Sequence, residues 1–277
     1  MVPRNVRKVT FALVGQGRWG INYIKTIASL KNCSLPQKYI VTRDYKELIN
    51  NQDIDGVFVA TPAATHYEIA KFLLENKCNV LIEKPVTLKF TEAEDLVKIQ
   101  KKNRVVGMVG HIYEYHPGFQ KLLGEINRTK ITYIYTEGLG NGPVRKDVSA
   151  LWDWTPHDIG MCIRIVGKNP ISVACWEQVT NAMYFVKLVF PDGVTAICRV
   201  DWLSGARKRS LLVCSNDRSY LFEDKNNTSP SLKKLPLQYE VEEFIDCIIN
   251  KRNPLTDLSH GAMVVRIIEA AGKSADL

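Results

Sequence analysis

The sequence predicts an α/β chain of two domains: a parallel sheet covered on both faces over residues 1–112, then an α/β domain with an open antiparallel sheet over residues 113–277. Three observations predict it. In the first half, short continuous apolar runs ("TFALV", "GVFVA", "NVLI") alternate with stretches of helical spacing, the pattern of strands buried on both faces. In the second half alternating strands dominate, and Pro191-Asp192-Gly193 between two of them is a hairpin signal. The 277 residues, 45% hydrophobic and 24% charged, suffice for two globular domains of ordinary size.

The first strand, "KVTFALV", runs into Gly15, Gly17 and Gly20 and then the helical "WGINYIKTIASL". GxGxxG between a strand and a helix is a dinucleotide-binding turn. Its glycines allow a tight bend, close approach of a pyrophosphate and close helix–strand packing, and the anion rests on the helix N-terminus. Gly15, Gln16, Gly17, Arg18, Trp19 and Gly20 are the candidate contacts, and NAD or NADP the expected cofactor. About 20 residues on, an acid ordinarily bonds the ribose hydroxyls. Asp44, after the short "YIVT", lies near that distance and favours NAD; Arg43 could instead meet a 2′-phosphate. Both also fit as solvated charges before the helical "YKELIN", so the choice of cofactor stays open. "IDGVFVATP" is a strand ended by Thr61 and Pro62, and "THYEIAKFLLENK" an amphipathic helix. The strand "NVLI" leads into Glu83, Lys84 and Pro85, placing Lys84 just past a strand's carboxyl end, where open α/β sheets bind ligands. Thr91 is positioned to open the helix "TEAEDLVKIQKKN", and "VVGMVGH" is the next strand.

The character changes near His116-Pro117. After the helix "GFQKLLGEI" come the strands "KITYIYTEG", "ISVACWEQV", "AMYFVKLVF", "VTAICRVDWL", "RSLLVCS" and "SYLFE", then the closing helices "EVEEFIDCIINK" and "SHGAMVVRIIEAAGKS". In "LWDWTPHDIGMCIRI", Thr155 or Asp153 can cap a helix, and either choice puts His157 near its N-terminus. The dipole there disfavours the imidazolium, so His157 is a candidate general base. Asp153 would hold a substrate hydroxyl, orient the histidine, or serve as a plain cap; Asp158 reads as bonding first-turn N–H groups. Trp152, Trp154, Trp176 and Trp202 read as core or sheet-packing residues, and His116 and His260 as packing or capping.

The net charge of +8, with a cluster at Arg207, Lys208 and Arg209, suits a polyanion. No nucleic-acid-binding signature accompanies it, so a phosphorylated small molecule is the expected partner. Seven scattered cysteines without CxxC spacing read as free thiols in a reducing cytoplasm, with no metal site. No apolar run reaches membrane-spanning length, and the N-terminus lacks the pattern of a signal peptide.

"GQGRWG", "VATPAATHYEIA", "VLIEKPVTL", "GHIYEYHPGF" and "ALWDWTPHDIGM" occur in this order, and together they resemble the Gfo/Idh/MocA oxidoreductases. "GRWGINYIK", "GPVRKDVSALWDWTPHDI" and "DWLSGARKRSLLV" are most similar to the branch acting on UDP-N-acetylhexosamines or uronates. The resemblance implies a Rossmann domain, then a domain whose sheet is often used for oligomerisation, so a homo-oligomer is expected. It implies hydride transfer between a sugar hydroxyl carbon and nicotinamide. Lys84, beside a cis Lys84–Pro85 peptide, steadies the reacting oxygen; His157 is the base and Asp153 its companion. It puts Thr61, Pro62, His66 and Glu83 against the cofactor, and His111, Tyr115 and Arg145 around the substrate. Two other readings stay open: a silent dinucleotide- or sugar-sensing regulator, and a dehydrogenase of a free sugar or cyclitol. One departure stands out. Against the family pattern, roughly 25 residues of the second strand and following helix are missing, which shortens the Rossmann domain by one βα unit.

Overall fold

The computed structural model describes residues 8–142, 144–145, 147–224 and 233–275. It contains two compact units. One runs to Gly110 and takes in Leu237–Ala262; the other comprises His111–Pro236 and Met263 onward.

The first unit holds a parallel sheet in the order β2-β1-β4-β5-β6, with β3 also on β1. Its strands are β1 (Val9–Val14), β2 (Cys33–Ser34), β3 (Ile40–Val41), β4 (Gly56–Val59), β5 (Val80–Glu83) and β6 (Gly107–Gly110). The helices α1 (Arg18–Ser29), α2 (His66–Glu75) and α3 (Phe90–Asn103) return the chain between them. Every residue of β4, β5 and β6 is buried, as continuous apolar runs require. The shortening is visible. Both β2 and β3 lie along the same edge of β1, at Val9–Thr10 and Leu13–Val14, so one broken strand stands where the second Rossmann strand belongs. Between β3 and β4 there is one 3₁₀ helix, Tyr45–Asn50, and no further strand. The α3 cap is Lys89, and Thr91 is already inside the helix.

Helix α7 (Pro236–Asn250) belongs to this sheet, although its sequence follows the second domain. Phe244 stacks on Phe11 at 5.7 Å and meets Phe58 edge-on at 5.6 Å. Gly56 makes room: a Cβ there would lie 2.9 Å from Ile248 and 3.1 Å from Phe244. The first turn of α8 (Leu258–Ala275) packs in the same way, with Gly261 against Val109. The contiguous 113–277 domain drawn from the sequence is therefore interrupted by Leu237–Ala262.

The second unit carries a six-stranded sheet in the order β12-β11-β7-β10-β9-β8. The strands are β7 (Ile131–Asn141), β8 (Ser172–Val179), β9 (Met183–Val189), β10 (Thr195–Asp201), β11 (Leu203–Ser215) and β12 (Ser219–Glu223). The hairpin between β9 and β10 forms where Pro191-Asp192-Gly193 places it. The sheet is mixed rather than wholly antiparallel, because β7 and β10 run parallel from Tyr133↔Thr195 to Leu139↔Asp201. One face buries its core against α4 (Pro117–Glu125), α5 (Ala150–Asp153), α6 (Thr155–Val166) and the later turns of α8. His116 caps α4, its Nδ1 accepting from the Gly118 N–H at 3.0 Å. Trp202 is in the core, whereas Trp176 is exposed. All seven cysteines are free thiols, and no helix among the described residues is long and apolar enough to cross a membrane.

Candidate active site

In the first unit, the turn after β1 has the geometry its glycines imply. Gly15 has φ +104°, and a Cβ there would sit 2.5 Å from the Ala60 carbonyl oxygen. A Cβ on Gly20 would run into the Gly15 carbonyl, so α1 can approach β1 only with glycine at that position. Gly17, the N-cap of α1, has nothing within 4 Å of where its Cβ would be. The first turn of α1 carries no acid, and Gln16, Gly17 and Arg18 are exposed with Trp19 beside them half-buried. Open space, unblocked N–H groups and a cation fit a dinucleotide pyrophosphate. The Gly15 N–H donates to the Val41 carbonyl at 2.9 Å, which brings the end of β3 and the exposed Arg43 and Asp44 beside this turn.

Thr61 and Pro62 follow β4, and the Thr65 hydroxyl donates to the Pro62 carbonyl and lies 2.8 Å from the Thr61 hydroxyl. His66, buried at the start of α2, ties two loops together. Its Nδ1 faces the Pro85 carbonyl at 2.8 Å and its Nε2 the Thr61 carbonyl at 2.9 Å. Burial pushes this imidazole below its usual value, opposed by the two carbonyls and assisted by Lys84. The Lys84–Pro85 peptide is cis, and Lys84 is half-buried. Glu83 is buried, with Oε1 accepting from the Tyr23 hydroxyl at 2.7 Å and Oε2 from the Lys84 backbone N–H at 3.2 Å. Glu240 of α7 is wholly buried 3.5 Å from the same hydroxyl. Two buried carboxylates, with burial itself the larger cause, push the Tyr23 phenol well above its usual value. Tyr23 and Glu240 escape a sequence reading, since each sits in an amphipathic helix among residues of ordinary core spacing.

A pH dependence follows from His66. Its folded value lies below the ordinary 6.5, so between the two values the unfolded chain holds the extra proton. The stability is in place above about pH 6.5 and is lost as the pH falls. His116 adds the same sign, because burial lowers it more than Asp224 raises it. Thermal unfolding should therefore occur at lower temperature at about pH 5.5 than at pH 7.5, with His66→Gln flattening the slope. Equal midpoints at both pH values would contradict this assignment.

In the second unit, His157 is the third residue of α6, with Pro156 in the first turn; the N-cap is Trp154, without a side-chain cap bond, and neither Thr155, already inside α6, nor Asp153, which ends α5, takes that place. Its ring is buried, edge-on to Tyr113 at 4.9 Å and to His111 at 6.2 Å. His111 caps the 3₁₀ turn Ile112–Tyr115, Tyr115 ends it, and both are buried. Asp153 ends α5, where its Oδ1 accepts from Arg145 Nη1 at 3.2 Å. The remaining edge of the Arg145 fork is engaged bidentately by Asp147 at 3.0 and 2.6 Å. Asp158 does not serve chiefly its own helix turn: its Oδ2 accepts from Arg209 Nη1 at 2.6 Å, and both residues are buried. Burial pushes the Asp158 carboxyl up, with Arg209 pulling the other way. The cluster Arg207-Lys208-Arg209 is thus split, with two exposed cations and one buried. Strand alternation separates Lys208 from Arg209, but nothing in sequence names the buried partner.

Residues 25–111 match the family model of the Gfo/Idh/MocA oxidoreductases, with an NAD-binding Rossmann fold. A Magnetospirillum magnetotacticum crystal structure assigned as an oxidoreductase superposes with TM-score 0.82 at 26% identity, over 95% of this chain and 99% of that one. The match to the Gfo/Idh/MocA oxidoreductase family thus lies, but for His111, within the first unit of this chain. Two relatives of known reaction differ in chemistry. The UDP-N-acetylglucosamine 3-dehydrogenase of Acidithiobacillus ferrooxidans is 30% identical over 122 residues, 44% of this chain and 39% of that protein. The 2,7-anhydro-N-acetylneuraminate hydratase of Escherichia coli is 37% identical over 211 residues, 67% of this chain and 56% of that protein. The chain spans less than two thirds of either relative's length.

Proposed function

We propose that this protein is a nicotinamide-dependent dehydrogenase of a sugar hydroxyl, with a nucleotide sugar as substrate. The observation that carries the reading is the pairing, within one unit, of an open glycine turn after β1 with a half-buried lysine just past β5. Strand carboxyl ends are where such sheets bind dinucleotides, and the bound nicotinamide supplies the hydride acceptor. Lys84 holds the substrate oxygen and steadies negative charge as it develops. His157, near a helix N-terminus and in a buried ring cluster, takes the hydroxyl proton. Asp153 presents a carboxylate already aligned by Arg145. His66, Thr61, Pro62 and Glu83 shape the cofactor side, and His111, Tyr115 and Arg145 the substrate side.

Asp44, exposed past β3 and near the glycine turn, supports NAD over NADP. Asp44→Ala should raise KM for NAD and leave kcat nearly unchanged, since the contact is made equally in ground and transition states. The nucleotide-sugar assignment draws on the Acidithiobacillus relative. Incubation with NAD and a panel of UDP-sugars, followed at the reduced-nicotinamide absorbance band, tests it. Inhibition by UDP alone separates a nucleotide-sugar enzyme from one acting on free sugars or cyclitols. A homo-oligomer through the second sheet is supported by exposed Ile171, Trp176 and Leu221; a monomer by light scattering would remove it.

A second reading, a dinucleotide- or sugar-sensing regulator without turnover, is favoured by the missing βα unit between β3 and β4. Dinucleotide binding with no absorbance change across the panel would select it. The hydratase relative adds a third outcome, a product heavier by one water with no net nicotinamide reduction.

A further inference from the structure

We propose that Asp158 and Arg209 form a buried, charge-neutral pair that sets the protonation of His157, with Arg209 acting as a positioning residue through the Tyr113 ring. The proposal rests on the reading of His157 as proton acceptor. Arg209 is 3% exposed, and its guanidinium Nη1 donates to Asp158 Oδ2 at 2.6 Å. Nε and Nη2 are buried without a partner, as are Asp158 Oδ1, Thr155 Oγ1 and Thr136 Oγ1. The guanidinium is held instead between ring faces, 4.8 Å from the Tyr113 centroid and 4.9 Å from that of Trp154. Gly138, opposite Arg209 in the β7–β11 register, clears the space, since a Cβ there would lie 3.0 Å from the guanidinium nitrogens.

A buried ion pair held by so few bonds is weak support for stability; an apolar pair of equal volume is often as stable or more so. What the pair does is place two opposite charges beside the candidate base. The Tyr113 ring that carries Arg209 is the ring against which His157 stands edge-on at 4.9 Å. The cation and the imidazole are therefore within ~10 Å of each other in a water-poor interior. With Asp158 ionised the two charges offset each other. With Asp158 neutralised, the lone guanidinium opposes a second positive charge on His157. Among the described residues of this unit, His111 and Tyr113 on the 3₁₀ turn stand against His157; the Glu114–Arg164 pair lies on the same turn and on α6, and Asp153 with Arg145 just before α6. None of these changes in the test variants.

The test is the NMR titration of the His157 imidazole in dinucleotide-free protein, assigned among the five histidines by its loss in His157→Gln. Asp158→Asn is isosteric, and its amide oxygen still accepts from Nη1, so the fold is kept. The His157 titration should fall by about one pH unit. Arg209→Met/Asp158→Asn, with no charge left in the pair, should return it to the wild-type value. A titration unmoved by Asp158→Asn, or a double variant displaced as far as the single one, overturns the proposal. Loss of packing alone would not give a shift that a second substitution reverses. The reading is made without substrate. Failure of the shift therefore leaves the dehydrogenase reading standing, and absence of turnover leaves the titration intact.

Discussion

Lys84→Met should lower turnover about 10²–10⁴-fold while dinucleotide affinity stays within a few-fold of wild type. Methionine keeps the length and apolar stem of lysine, so the half-buried position past β5 stays filled. On the proposed reading, what is lost is the N–H donor to the reacting oxygen. Such an interaction is made in the transition state more than in the ground state, so kcat and kcat/KM fall together. With His157 as the proposed base, His157→Gln should show a loss of the same order, because the hydroxyl proton would then have only water to go to. If the two groups serve one chemical step, the double variant is scarcely slower than either single one. Steady-state kinetics with dinucleotide binding measured separately checks all three. Near-normal turnover in either single variant removes the role assigned to that residue.

The second large effect separates two glycines of one turn. Gly20→Ala drives a methyl group into the Gly15 carbonyl, and neither atom belongs to a flexible side chain. The helix must back away from β1, at a cost of about 1–3 kcal/mol in stability, and dinucleotide affinity falls at least ~10-fold. Gly17→Val costs only about 0.5–1 kcal/mol of stability, the difference between a good and a poor N-cap, because φ −69° suits any residue and the Cβ position is open. Its dinucleotide affinity nevertheless falls ~10-fold or more, since the new side chain fills the space left for the pyrophosphate. Chemical denaturation and calorimetric titration with NAD read the two quantities. Full NAD affinity in Gly17→Val would mean that the dinucleotide does not lie over this turn.

The parts legible in sequence were those that local chemistry decides. Gly15, Gly17 and Gly20 are fixed by backbone geometry, the strands β4 to β6 by uninterrupted apolar runs, and the β9–β10 hairpin by its turn residues. His157 near a helix start follows from Pro156, which suits a first turn, although the cap is Trp154 and not Thr155 or Asp153. Other features depend on partners far along the chain. Strand alternation is the same for parallel and antiparallel neighbours, so the β7–β10 pairing had no signature. An amphipathic helix shows that it has a buried face but not what it is buried against, and α7 therefore read as part of the second domain. Arg209 read as one of three surface cations because its anion, Asp158, lies 51 residues earlier. Glu83 read as a cofactor contact, yet two of its bonds are to Tyr23 and to the Lys84 backbone, a closure visible only once α1 is laid over β5.

The most direct test of the account is transfer of a labelled hydrogen. UDP-sugars deuterated at their ring carbons are incubated with stoichiometric enzyme and NAD, and the reduced dinucleotide is recovered and weighed by mass spectrometry. Deuterium from one ring position of at least one sugar should appear in the dinucleotide, with a ketone left at that carbon, and Lys84→Met should suppress both. Dinucleotide that binds, yet returns oxidised and unlabelled from every sugar, would contradict the assignment of this chain as a dehydrogenase.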